Sequence, residues 1–325
     1  MRRLVRMIHP FGLRDIRTIQ ELQGKSIAFD LQQQLLRPSS PLASALVGFV
    51  TNHHFGAFAW MLESSDKMPA GYIAVYPRSD TPCWDLASLS PSLESTHCAA
   101  DAWLRLLTHA TVHAGQRSIE RIYARYAENS EIDELLRQVG YVSVSREELY
   151  VLVGRPSPVA APRGVHKLDI QDLGALYQLY HDVMPVLVQQ ADAPETQWIT
   201  RRHGQLSSFW SSQRWLWRDQ ERAYAYIGLH ETRHALWLEI VVRPDVRAEI
   251  GPMVKYVLAA CPAALGKAIY CQVPDYCAGI SWILRSLGFE AYARQATMVL
   301  HVNATASFRE PVSVSGLKKP ADLRA

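Results

Sequence analysis

Glu239 is the one carboxylate in the apolar run Trp-Leu-Glu-Ile-Val-Val, Trp237–Val242. Burial beside such a run raises a carboxyl's proton affinity, which is what a general base at neutral pH needs. The competing reading is that period-two alternation turns Glu239 to solvent or toward an arginine. A few residues on, Gly251-Pro252 opens a helical pattern with Met253, Val254, Val257, Leu258 and Cys261 on one face. A strand running into a helix N-terminus presents free N–H groups, a geometry that suits phosphate. Just upstream, His230-Glu-Thr-Arg-His234 matches His-Glu-x-x-His. On a helix that spacing would bind zinc, with Glu231 as the base. Here the preceding Ala-Tyr-Ala-Tyr-Ile-Gly-Leu alternates like a strand, and no third ligand stands at a recognised spacing. A polar turn is the favoured reading and no metal is expected. A zinc peptidase built on His230, Glu231 and His234 is the minor alternative.

The elements that position these groups occur twice. Trp84 and Pro91 stand to Trp237 and Pro244 at one common spacing, and Leu135-Leu-Arg-Gln-Val-Gly-Tyr141 matches Ile283-Leu-Arg-Ser-Leu-Gly-Phe289. Arg146 and Arg294 keep the second spacing, so the chain reads as a tandem duplication. Each copy predicts a hairpin first, Phe55–Leu62 with Gly71–Tyr76, then Arg214–Arg218 with Ala223–Leu229. The Trp-to-Pro strand, a loop and a helix follow, then a strand near Arg121–Tyr126 or Ala268–Val273. A helix stopped by Gly140 or Gly288 comes next, and a final hairpin ends in Leu149–Val153 or Thr297–Val302. Such alternation predicts an α/β fold with mixed strand pairing. Three prolines within residues 154–164 mark a linker. The expected units are therefore residues 1–153 and 165–302, each with its own sheet, followed by a loosely ordered tail, 303–325.

Composition sets limits. The 325 residues are 48% hydrophobic, enough for two ordinary cores, with a net charge of +3. A pI of about 8.6 falls short of a nucleic-acid footprint. The stretch from Trp198 to Trp217 is rich in tryptophan and arginine. It could frame an acceptor pocket or stack bases, and an amphipathic helix plus a strand explains most of it. The five cysteines are odd in number and match no zinc module. With no signal-like or membrane-spanning run, a cytoplasmic protein with no membrane and no nucleic-acid partner is expected.

This order of elements resembles the GNAT N-acetyltransferase superfamily, and the doubling resembles its tandem members. The features that carry the resemblance are a strand ending in proline, a loop, a helix, a strand, and a helix ending in Gly-Tyr or Gly-Phe. They cover roughly residues 45–153 and 165–302. The resemblance implies two tandem GNAT-like domains, each a mixed, mostly antiparallel sheet flanked by helices. It implies acetyl-coenzyme A or another acyl-coenzyme A as co-substrate, lying where the fourth and fifth strands splay. The implied pyrophosphate loop is Arg247, Ala248, Glu249, Ile250, Gly251 and Met253, with Val241 and Val242 at the strand end. The family's two loop glycines fall on Ile250 and Pro252, and in the first copy on His97 and Ala99, with Glu94 in place of the arginine. Any activity is therefore expected in the second copy. Glu239 takes the role of general base, as fourth-strand glutamates do in several members. The family tyrosine that protonates the departing thiolate is Leu136 and Leu284 here, and Tyr276 stands close enough in sequence to substitute. The leading expectation is N-acylation of a small-molecule amine. The rival is a degenerate pair that binds a ligand or partner without chemistry. Oligomeric state is not specified by these features.

Overall fold

The computed structural model describes residues 8–302, apart from 37–39, 52–55, 65–69, 79–80, 155–158, 192–210, 221 and 262–265. The aromatic stretch 198–210 and the tail thus lie outside the described residues.

The first half runs β1 (Ile8–Pro10), α1 (Ile16–Gln23), β2 (Ile27–Ala28), α2 (Leu31–Leu36), α3 (Pro41–Val50), β3 (Phe58–Leu62), β4 (Gly71–Pro77), β5 (Cys83–Ser90), α4 (Ala99–Gln116), β6 (Arg121–Ala127), α5 (Ser130–Val139) and β7 (Val142–Leu152). The second half runs β8 (Val165–Lys167), α6 (Leu173–Val183), α7 (Val186–Ala191), β9 (Ser211–Arg218), β10 (Ala223–Glu231), β11 (Ala235–Val242), α8 (Ile250–Ala260), β12 (Ala268–Pro274), α9 (Gly279–Ser286) and β13 (Glu290–His301). Local chemistry explains the boundaries. Asn129 caps α5 by accepting from the amides of Glu131 and Ile132 at 2.9 and 3.3 Å. Gly140 and Gly288 stop the two late helices at φ +106° and +91°, a region open to glycine.

The sheets are not separate. Among the described residues thirteen strands form one sheet, in the order β1-β3-β4-β5-β6-β13-β7-β12-β11-β10-β9-β8, with β2 pairing β5. The expected final hairpins do not exist. Each half ends in one long strand, and the two halves exchange these strands. β13 inserts between β6 and β7, and β7 lies between β13 and β12. Glu147 sits opposite Gln295, its own counterpart in the repeat, so a pseudo-two-fold axis passes through that pair. Both are buried, and Glu147 accepts from Ser145 at 3.0 Å, Gln295 at 2.5 Å and Thr297 at 3.3 Å. A buried carboxylate is tolerated because its lone pairs are answered in this way.

Helices α4 and α5 cover one face of the first half over Trp84, Leu86 and Ile122, and α8 and α9 cover the second over Leu238, Val242 and Ile269. Pairing registers also correct the repeat alignment. Trp84 pairs with Ile122, and the equivalent partner of Ile269 is Leu236, not Trp237. A one-residue slip flips a side chain to the opposite face. Accordingly, Trp84 lies in the α4 core, while Trp237 packs with Leu36 and Leu149 on the other side. A bulge at Ala87 in β5, absent from β11, slips the register again, so the counterpart of Glu239 is Ser88.

Candidate active site

In both halves a parallel strand pair opens like a V. β5 and β6 pair over Cys83–Asp85 and then part, and β11 and β12 pair over Ala235–Leu238 and then part. The two openings differ. In the first half the chain fills its own opening. Ile27 and Ala28 pair with Leu89 and Ser88, the Phe29 amide donates to Ala87 at 2.8 Å, and the Asp30 amide donates across to Arg125 on β6 at 2.6 Å. Phe29 is buried against Trp103 and Tyr126. Asp30 lies within 3.5 Å of the Arg125 guanidinium, and burial still raises its carboxyl above the ordinary range. Phe29→Ala is expected to cost ~3–5 kcal/mol of stability, as removing a buried aromatic does, measured by denaturant unfolding.

In the second half, among the described residues, no strand pairs with β11 on that side past Leu238. Glu239 stands on β11 at this point with a side chain 29% exposed. Its Oε2 lies 3.3 Å from Nε2 of His230, whose Nδ1 lies 3.0 Å from Oγ of Ser212. The three residues come from adjacent strands and share one face. The pairs Ser212–His230 and His230–Trp237 put β9, β10 and β11 in register, and Glu239 sits opposite Gly228. A Cβ at Gly228 would meet the Tyr226 hydroxyl at 2.7 Å and His230 Nε2 at 3.1 Å, so glycine is what lets both rings approach Glu239. Burial first, then the Glu239 charge, pushes the Tyr226 phenol well up, which keeps it neutral.

No family model matches the chain, and no curated protein matches it. Among solved structures, a GCN5-related N-acetyltransferase from Sphaerobacter thermophilus is similar over 91% of this chain and 95% of its own, with a TM-score of 0.55 and 14% identity. A tandem GNAT protein from the clavulanic acid biosynthesis pathway is similar over 91% of this chain and 98% of its own, with a TM-score of 0.52 and 13% identity. The fold is the GNAT fold.

The GNAT opening of the second half carries the remaining sequence-derived candidates on its rim. Val241 and Val242 end β11, facing opposite sides and both buried. The loop winds as a 3-10 turn, Pro244–Glu249, holding Arg247, Ala248 and Glu249. Ile250 is buried at the start of α8, and its amide donates back to the Arg247 carbonyl, while Gly251 and Met253 follow in the first turn. Arg247 turns inward. Its Nη2 donates to the Tyr276 carbonyl at 3.0 Å, and its Nε is buried without a hydrogen-bond partner among the described residues. Such an orphaned cationic donor fits an anion. Tyr276 lies in the short turn after β12, with its hydroxyl 3.4 Å from Met184 Sδ. The Arg247–Tyr276 bond thus joins the loop after β11 to the turn after β12, while Glu239 pairs with His230 on the neighbouring β10.

Two cysteines flank it, and neither is a nucleophile at neutral pH. Burial pushes the Cys271 thiol far up, with the Glu239 charge adding to it. Burial also pushes Cys277 up to about 11, against the pull of the Arg247 guanidinium.

The His-Glu-x-x-His segment is not helical. His230 and Glu231 end β10, and Thr232 closes a tight turn to Ala235 through hydrogen bonds of 2.9–3.1 Å. Glu231 pairs with Lys267 at 2.8 Å. Among the described residues no three His, Cys, Asp or Glu side chains cluster to hold a metal. His230 is 5% exposed and Thr232 is also buried, so the solvent-facing part of the turn expected there is Arg233 and His234. Sequence reasoning missed His230 as the partner of Glu239. The signal was present, because a tight turn at Thr232–Ala235 makes His230 face Trp237 and Gly228 face Glu239.

Proposed function

We propose that the protein transfers an acyl group from acetyl-coenzyme A or another acyl-coenzyme A to a small amine, with residues 165–302 carrying the activity. The observation that carries this reading is the contrast between the two openings. One is sealed by residues 27–30, and in the other, among the described residues, no strand pairs with β11 past Leu238, beside a carboxylate held by a buried histidine. Glu239 takes a proton from the amine, whose nitrogen then bonds to the thioester carbonyl carbon. The carbon–sulfur bond breaks, and the thiolate leaves with a proton from Tyr276. Backbone amides at the end of β11 stabilise the oxyanion. His230, itself anchored to Ser212, holds Glu239 in place. With both flanking cysteines protonated, direct attack is favoured over a covalent acyl-enzyme.

Arg247 is the pyrophosphate contact in this reading. A charge-assisted hydrogen bond contributes ~1.5–3 kcal/mol, so Arg247→Ala should weaken acetyl-coenzyme A binding ~10–150-fold. Calorimetric titration should give one site per chain. Two equivalent sites, or binding indifferent to Arg247→Ala, would overturn the assignment. The glycine-free 3-10 turn at Pro244–Glu249 favours a second reading, in which the opening binds a ligand or partner without chemistry. Absence of binding at millimolar acetyl-coenzyme A would favour that reading. No helix among the described residues is long and apolar enough to cross a membrane.

A further inference from the structure

The two copies connect their first helices differently. In the first, residues 24–30 lie between α1 and α2, and they carry the strand β2 that fills the opening. In the second, α6 runs on to Val183, and only Met184 and Pro185 precede α7. That corner is braced from several sides. Gln189 Nε2 donates to the carbonyls of Met184 and His181 at 2.7 and 3.1 Å, and Gln189 Oε1 lies 2.9 Å from His181 Nδ1. Asp182 pairs with Arg243, the residue that follows β11. Pro185 fixes one more backbone angle. Met184 therefore projects from a held backbone. Its helix lies across β10 and β11, and its side chain packs beside the cluster that holds Tyr226 and Val241. Its Sδ lies 3.4 Å from the hydroxyl of Tyr276, which follows β12. The thioether thus reaches from the β11 side of the opening to the β12 side, on the face that Glu239 shares with Tyr226 and Val241.

We infer that Met184 sets the length of the acyl group, admitting acetyl and turning away longer chains. The inference rests on the transferase reading above and deepens it. In that reading the Tyr276 hydroxyl gives its proton to the departing sulfur, so the sulfur lies within hydrogen-bond reach of it. The acyl carbonyl carbon is bonded to that sulfur, which brings the start of the acyl chain against Met184. A group as small as acetyl ends there. Each further methylene needs the volume that the thioether occupies, and the braced corner yields it only by giving up hydrogen bonds. An unbranched, polarisable side chain also closes well around a small group. The first copy shows the limiting case. Where the same connection is longer, the chain itself fills the opening.

The test uses the full chain. Calorimetric titration with acetyl-, butyryl- and hexanoyl-coenzyme A reports binding, and thiol release with a panel of small primary amines reports turnover. The expected result is a preference of about tenfold or more for acetyl over butyryl, the discrimination that added methylenes produce at a closed pocket. Met184→Ala should abolish that preference. Met184→Val, a smaller cut, should weaken it, and Met184→Leu, which nearly conserves volume, should keep it. Butyryl taken as readily as acetyl by the parent protein, or a preference untouched by Met184→Ala, would overturn the inference and leave the transferase reading standing wherever thiol is released. Length-dependent binding that follows Met184, without turnover of any amine, would support the wall and sink the transferase reading. Binding of no acyl-coenzyme A would overturn both.

Discussion

Glu239→Gln should lower kcat for amine acylation ~10²–10⁴-fold, the usual contribution of a positioned general base, with acetyl-coenzyme A affinity retained. The carboxamide fills the same space and keeps a polar partner for His230, but it does not accept a proton at neutral pH. The diagnostic readout is the split between kcat and the affinity for acetyl-coenzyme A: losing a base lowers kcat alone, whereas a merely structural role for Glu239 would lower stability and binding together with kcat. Activity within tenfold of the parent would move proton removal to another group. The neutral Tyr226 phenol, raised by burial and by the Glu239 charge, is a poor substitute base. That is why a large effect is expected from this one substitution.

A chain ending at Phe289 should lose the fold of both halves. β13 contributes Ala296, Met298 and Leu300 to the core of the first half, although it follows the second half in sequence. It also supplies partners to β6 along Gln295–His301 and to β7 along Glu290–Val299. Burying one methionine or leucine is worth ~1.5–3 kcal/mol. Two of them, together with two lost ladders, approach the 5–15 kcal/mol that holds a typical domain. Urea titration followed by fluorescence should show no cooperative transition for the truncated chain, and its amide NMR spectrum should be collapsed throughout. Dispersed resonances confined to the first half would show that residues 8–152 fold without β13.

Local elements were legible because their signals are local. Gly140 and Gly288 stop helices, and the apolar run at Leu236–Val242 is a covered strand, for reasons that involve only neighbours in sequence. Strand exchange was not legible. The matching of Arg146 with Arg294 is the same whether each last strand pairs with its own half or with the other. The tryptophan alignment failed for a related reason. Identity at Trp84 and Trp237 outweighed parity, and parity decides which face of a sheet a residue joins. In the site, Glu239 and Arg247 stood out by charge, whereas His230 was hidden inside a motif that names a different chemistry. The seal of the first opening was invisible because Ile27–Asp30 is too short to carry a period.

The exchanged strands have a consequence for how the two copies came to differ. Two identical subunits related by a closed two-fold, each lending its last strand to the other, would form a domain-swapped homodimer. In such an assembly every substitution appears on both sides. A carboxylate such as Glu239 could not arise at one opening without arising at the other, and a segment that seals one would seal both. Tying the subunits into a single polypeptide keeps the interlocked architecture and removes that constraint. One copy is then free to become a scaffold that completes its neighbour's sheet, and the other to keep, among the described residues, a β11 edge with no strand paired to it past Leu238. The asymmetry between Ser88, paired with Ala28, and Glu239, which no strand meets on that side among the described residues, is a division of labour that a homodimer could not acquire.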